Sequence, residues 1–176
     1  MQAAGGAQVL RRRNLSALLA PTGPLVLPAV ILLLDQSSKA WARSTLSSRS
    51  VELVGDFFQL RLVYNTGAAF GILQGGRWVF LGLAIPVGAA LFVWSSRAAH
   101  PIQRVSAGLL LGGLVGNSWD RLVAPAGRVT DFIAFSFWPA FNLADSAMVV
   151  GVSLFVIHRL LGWPRETSPE ISGDAS

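Results

Sequence analysis

From Val105 to Leu122 the chain reads VSAGLLLGGLVGNSWDRL, a run that is apolar or small until it turns polar at Asn117, Asp120 and Arg121. Asn117 and Asp120 stand three apart and Asn117 and Arg121 four apart, so a helix presents an amide, a carboxylate and a guanidinium on one face. Gly112 and Gly116 stand four apart in the same run and would let another helix approach closely. Such a helix suits a bilayer, with its polar end near one membrane surface.

Apolar stretches near Leu25, Val79 and Val149 repeat this character. Each extends toward the roughly 20 residues that cross a hydrocarbon core. Composition agrees: 52% of residues are hydrophobic and 13% charged, against about 25% charged in an average soluble domain. Mean hydropathy is +0.54. The expected fold is therefore a mainly α membrane protein with four transmembrane helices. Its spans run from about Leu25 to Trp41, Trp78 to Trp94, Val105 to Leu122, and onward from Asn142.

Between spans one and two, VELVGDFFQLRLVYNTGAAF partly alternates apolar and polar residues and is rich in Val, Leu, Phe and Tyr. That pattern predicts short strands and a small extracytoplasmic β-sheet there. Residues 123–141 read as a connection whose aromatic run FSFWPAF suits the membrane interface. The expected organisation is a basic N-terminal segment over 1–22, one four-span domain over 23–163 and a polar tail over 164–176. The first span follows basic residues, as in a secretory signal peptide. It carries Asp35 and Lys39 and shows no small-residue cleavage site, so it is expected to be retained.

The net charge is +5. In a membrane protein the arginines at 11, 12 and 13 point to a membrane-facing cluster rather than to nucleic acid. With both termini cytoplasmic, Arg11 to Arg13, Arg97, Arg104, Arg159 and Arg165 share that side. Asp35, Glu52, Asp56, Asp120, Asp131 and Asp145 then fall on the outer side. The chain has no cysteine, which excludes disulfides, thiolate metal sites and cysteine nucleophiles. His100 and His158 lie on the side away from the acids, which disfavours both a histidine-ligated zinc site and a serine triad.

An aspartate inside a span costs about 2.5 to 3.5 kcal/mol at a helix centre on insertion scales, and less near the end. Asp35 and Lys39 are i, i+4 and can neutralise each other. Asp120 allows two readings, an ion pair tying helices together or contact with a substrate. Asp131 and Asp145 have no basic neighbour in sequence. Facing each other, they would hold one protonated acid beside one ionised base and could activate water. Taken alone, two aspartates in a membrane protein also fit a proton or ion pathway, and Gly112 and Gly116 fit a noncatalytic scaffold.

The set DQSSK (from Asp35), NTGAAFG (from Asn65), GGLVGNSWDR (from Gly112), VTDFI (from Val129) and FNLADSAMVVG (from Phe141) resembles the lipoprotein signal peptidases, or signal peptidase II. The match runs from about Asp35 through span four. The resemblance implies Asp131 and Asp145 as the catalytic dyad of an aspartic peptidase. It implies Asn65, Gly67, Asn117, Arg121 and Asn142 as substrate-binding residues, with Asp35, Lys39 and Asp120 in support. It also implies a bacterial cytoplasmic (inner) membrane enzyme with its site near the outer face. Its substrates would be prolipoproteins whose cysteine carries a diacylglyceryl group, with membrane lipids as surroundings. No metal, cofactor or nucleic acid is called for, and a monomer suffices. Gly67, Ala68 and Ala69 either keep bulk low for a substrate or simply permit a turn. Phe132, Phe135, Phe137 and Trp138 either cap a cleft or anchor at the interface. The APAGR stretch after Asp120 is longer than the family pattern.

Overall fold

The computed structural model describes residues 23–67 and 76–161. The arginines at 11 to 13, Ala68, Ala69 and both predicted tails fall outside the described residues. In chain order the elements are α1 (Val26–Thr45), β1 (Val51–Val54), β2 (Phe58–Asn65), α2 (Arg77–Arg97) and α3 (Pro101–Val123). A 3-10 turn (Pro125–Gly127), β3 (Val129–Phe135), β4 (Trp138–Phe141) and α4 (Leu143–Leu160) follow.

By length and hydropathy alone, α2 and α4 qualify as membrane spans. Helices α1 and α3 are as long, at 20 and 23 residues, but carry the charges of DQSSK and NSWDR. Apolar side chains cover the outside of the helices: Trp78, Ile85, Val149 and Leu160 are all more than half exposed. Helix α2 buries only Ser95.

Helix α3 is the centre of the bundle because its glycines let neighbours in. A Cβ on Gly108 or Gly112 would lie 2.9 Å from Leu27 or 2.7 Å from Ile31, both on α1. One on Gly113 would overlap the Ala144 carbonyl oxygen of α4, and one on Gly116 would come within 2.7 Å of Asp35 and 3.3 Å of Ala144. The expected close approach at Gly112 and Gly116 is thus made with α1 along one face of α3, while Gly113 and, more loosely, Gly116 admit the start of α4. After α3 the APAG segment forms the 3-10 turn. Gly127 has φ +66°, and a Cβ there would meet the Arg77 side chain at 2.8 Å, so both backbone sign and space call for glycine.

The sheet is antiparallel, in the order β1-β2-β3-β4. Strands β1 and β2 lie where the sequence predicts them. The other half of the sheet comes from the segment after α3, which the sequence reads as a connection, so the sheet is not confined to the region between the first two helices. The physical reason is burial. From Val129 to Phe132 every residue of β3 is buried, as is Ala134, and a strand covered on both faces loses the alternation that betrays one. Phe132 packs edge-on against Trp41 at 6.3 Å and joins Ala42 and Leu46 in the core cluster. It therefore fastens the sheet to the end of α1 instead of capping a cleft. Phe135 stacks between Phe58 and Phe141 at 4.7 and 6.1 Å, while Phe137 and Trp138 stand exposed.

Candidate active site

Pairing of β2 with β3 sets Val63 opposite Asp131 and Asn65 opposite Val129, so Asn65 and Asp131 are diagonal neighbours on one face. Asn65 Nδ2 donates to Asp131 Oδ2 at 3.3 Å. Its Oδ1 accepts from the Gly67 backbone N–H at 2.9 Å, an Asx-type turn at the strand end.

Asp145 arrives from α4. Asn142 is the N-cap of that helix, and the two side chains form a reciprocal capping box: Asp145 N donates to Asn142 Oδ1 at 3.0 Å and Asn142 N to Asp145 Oδ2 at 3.1 Å. The box satisfies amides that a helix start leaves unpaired and places a carboxylate where the helix dipole favours negative charge. The Asn-x-x-Asp spacing of FNLAD is a readable sign of it.

Asn142 also joins the two aspartates. Its Nδ2 donates to Asp131 Oδ1 at 2.7 Å and to Asn117 Oδ1 at 3.1 Å. Asn117 in turn donates to Asp145 Oδ1 at 2.7 Å. Asn142 is fully buried, and both Nδ2 hydrogens and its Oδ1 are engaged within the protein. It does not line the cavity described next, whereas the other residues expected to bind substrate do.

That cavity, of about 260 Å³, is lined by Asn65, Gly67, Asn117, Arg121, Asp131 and Asp145 on its polar side, and by Val129, the β4 strand, Met148 and Val149 on its apolar side. Arg121 lies over the Phe80 ring at 4.5 Å and donates to Gly67 O at 2.9 Å and Asn117 O at 3.3 Å. Its Nε is buried with no acceptor. A second, more apolar hollow lies between α2 and α3, away from these carboxylates.

Burial pushes the Asp131 carboxyl up to about 7, and the negative charge of Asp145 adds to the rise; hydrogen bonds from Asn142 and Asn65 and the charge of Lys39 oppose it. Asp131 therefore keeps its proton up to about pH 7 on a cavity that Asp145 also lines, an arrangement suited to general acid and base chemistry. Asp35, Lys39 and Asp120 lie behind this wall, packed with Gln36. That glutamine, which donates to Asp35 and Asp120, is a residue that sequence reasoning misses, as are Thr130, whose N–H donates to Asp120, and Arg43, which donates to Thr130 Oγ1 at 3.0 Å. The signal for Gln36 is its place inside DQSSK, next to an acid in an apolar helix. The two histidines lie far off: His100 caps the other end of α3, with its ring 4.6 Å from that of His158, which is about 20 Å along α4 from Asp145.

The family model described as signal peptidase (SPase) II matches residues 27–161. A lipoprotein signal peptidase of Symbiobacterium thermophilum is 39% identical over 144 residues, covering 78% of this chain and 93% of its own. That of Cellvibrio japonicus is 38% identical over 151 residues, covering 80% and 87%. Among solved structures, a bacterial membrane enzyme determined by the in meso method at 2.3 Å superposes with a TM-score of 0.70 at 29% identity, over 84% of this chain and 93% of that one. Another, at 1.9 Å, gives 0.68 at 31% identity over 78% and 92%. With the family match spanning nearly every described residue and relatives aligned over most of their length, the chain belongs to the signal peptidase II family, the lipoprotein signal peptidases.

Proposed function

We propose that the chain cuts bacterial prolipoproteins just before the diacylglyceryl-modified cysteine, with Asp131 and Asp145 as a water-activating aspartic dyad. One observation carries the reading: two carboxylates bonded to the same buried residue, Asn142, face one cavity while Asp131 retains a proton up to about pH 7.

Asp145 takes a proton from water as the hydroxyl oxygen bonds to the scissile carbonyl carbon, and Asp131 gives its proton to the carbonyl oxygen. In the second step Asp145 passes its proton to the amide nitrogen, Asp131 recovers one from a hydroxyl, and the C–N bond breaks. The cysteine amine leaves, and the dyad returns to its starting protonation. Asn142 and Asn117 hold the carboxylates in place. Arg121, Asn65 and Gly67, which line the cavity, supply polar contacts for the substrate backbone.

Four membrane-spanning helices in one domain over 23–163 fit this chemistry. Helices α1 and α3 are each about 30 Å long or more, enough for a hydrocarbon core, and their Asp35, Lys39 and Asp120 are gathered in one buried knot rather than turned to lipid. With both termini cytoplasmic, the dyad lies near the outer face, where acyl chains stay in lipid while the peptide enters the polar cavity. Exposed Phe137 and Trp138 suit anchoring at that interface. One chain supplies both aspartates, so a monomer is sufficient. An ion pathway expects acids at successive depths; here Asp35, Asp120, Asp131 and Asp145 form one cluster.

The test is the pH dependence of kcat/KM on a diacylglyceryl-modified prolipoprotein. A group raised to about 7 is protonated below that pH and ionised above it. If the proton on Asp131 is needed, kcat/KM falls above about pH 7, approaching tenfold per unit. A profile flat to pH 9 would rule out that role. Arg121→Ala is expected to raise KM by roughly tenfold, with a smaller loss in kcat, through loss of uniform binding. Arg121→Lys should recover little of it, because an ammonium lacks the planar fork of donors. Steady-state cleavage kinetics on the two variants check this, and an unchanged KM in Arg121→Ala would remove Arg121 from substrate binding.

A further inference from the structure

Behind the cavity wall lies a set of charged groups that never reaches it. Asp35 and Lys39 are fully buried and Asp120 is 3% exposed. Lys39 Nζ stands 2.8 Å from Asp35 Oδ2 and 3.2 Å from Asp120 Oδ2, and donates to Asn117 Oδ1 at 3.0 Å. Three acceptors match the three hydrogens of an ammonium group. Gln36 Nε2 bridges the same two carboxylates, at 3.1 Å from Asp35 Oδ2 and 2.9 Å from Asp120 Oδ1.

Each carboxylate also holds a backbone N–H from another element. Asp35 Oδ1 accepts from Ala144 N at 3.0 Å, and Asp120 Oδ2 accepts from Thr130 N at 3.0 Å. Ala144 immediately precedes Asp145, and Thr130 immediately precedes Asp131. An ion pair that merely stapled α1 to α3 would have no reason to end on these two amides, one in α4 and one in β3.

Resting on the dyad reading above, we infer that Lys39 is the positioning residue of the dyad. By neutralising Asp35 and Asp120 together, it lets two like charges pack side by side, each gripping the backbone one residue ahead of a catalytic aspartate. The same ammonium sets the electrostatic background of the dyad, because its charge opposes the retention of a proton on Asp131.

The experiment compares Lys39→Met, and Lys39→Met combined with Asp120→Asn, in the full-length purified chain acting on a diacylglyceryl-modified prolipoprotein. Lys39→Met keeps the stem and deletes the charge. It is expected to lower kcat about 100-fold, as small displacements of reacting groups do, with KM held within about threefold. The alkaline fall of kcat/KM should move to higher pH. The double variant returns the knot to one net negative charge, and the amide oxygen introduced by Asp120→Asn can still accept from Thr130 N. It should recover to within roughly tenfold of wild type, with the alkaline limb moving back. Near-normal kcat in Lys39→Met overturns the inference. So does an unmoved limb, or a double variant that fails to recover, since general loss of fold produces both. If Asp131→Asn assayed alongside still cleaves, the dyad reading fails instead, whatever the lysine variants do.

Discussion

Replacing Asp131 or Asp145 by Asn is expected to leave a membrane-inserted chain that cleaves a diacylglyceryl-modified prolipoprotein at least about 1000-fold more slowly. A positioned acid or base contributes roughly 10²- to 10⁴-fold, and members of one catalytic unit fail together rather than additively. The two variants should differ in stability. At position 131 the new amide can still accept from Asn142 Nδ2, which lies 2.7 Å from the present oxygen, but its own NH₂ then faces the Asn65 Nδ2 donor. At position 145 both oxygens of the native residue accept hydrogen bonds, one from Asn117 and one from the Asn142 backbone. An amide there gives up one of them, and weakening a helix cap costs about 1 kcal/mol. Asp145→Asn should therefore show the lower membrane level or melting temperature, while both lose activity alike. A mobility-shift assay of precursor cleavage, normalised to the amount of enzyme in the membrane, separates the two effects. Near-normal cleavage by either variant would remove that aspartate from the chemistry.

The aspartates are legible in the sequence because an acid beside apolar residues with no local counter-ion asks for a special environment. The helices are legible for a similar reason, since apolar runs of span length have few other outcomes, and the ends of α1 to α4 fall within a few residues of those expected. Half of the sheet is not. Strand β3 is buried on both faces, and β4 is a four-residue aromatic piece containing Pro139, so neither shows period-two alternation. The working position of Asn142 is hidden as well. Its spacing to Asp145 signals a helix cap, but only the contacts of its Nδ2 to Asp131 and Asn117 show that it joins the two carboxylates instead of facing the cavity. Gln36 and Thr130 act through a partner that lies 84 residues from one and 10 from the other, Asp120, and sequence spacing carries no trace of that.

The glycines of α3 supply a second large effect, and it separates two substitutions that look identical on paper. Gly113→Ala is expected to reduce cleavage by roughly 100-fold or more, whereas Gly88→Ala should leave it near wild type. In an unobstructed helix, alanine is favoured over glycine by about 1 kcal/mol, so propensity predicts a gain at both positions. At Gly88 the added Cβ meets Leu114 at 3.6 Å and Leu111 at 3.7 Å, which is ordinary contact. At Gly113 it overlaps the Ala144 carbonyl oxygen and presses on Met148. A side chain can turn away, but a carbonyl in the first turn of α4 yields only if the helix start moves. That start carries the capping box, Asp145, and the Ala144 N–H held by Asp35. Overpacking of this kind costs about 1 to 3 kcal/mol, and a shift of about 1 Å at a reacting group is enough for a 100-fold loss in rate. The check is cleavage rate together with thermal unfolding of both variants in the same detergent. Activity within about threefold of wild type in Gly113→Ala would mean that the start of α4 tolerates displacement, and that close packing against α3 does not hold Asp145 in register.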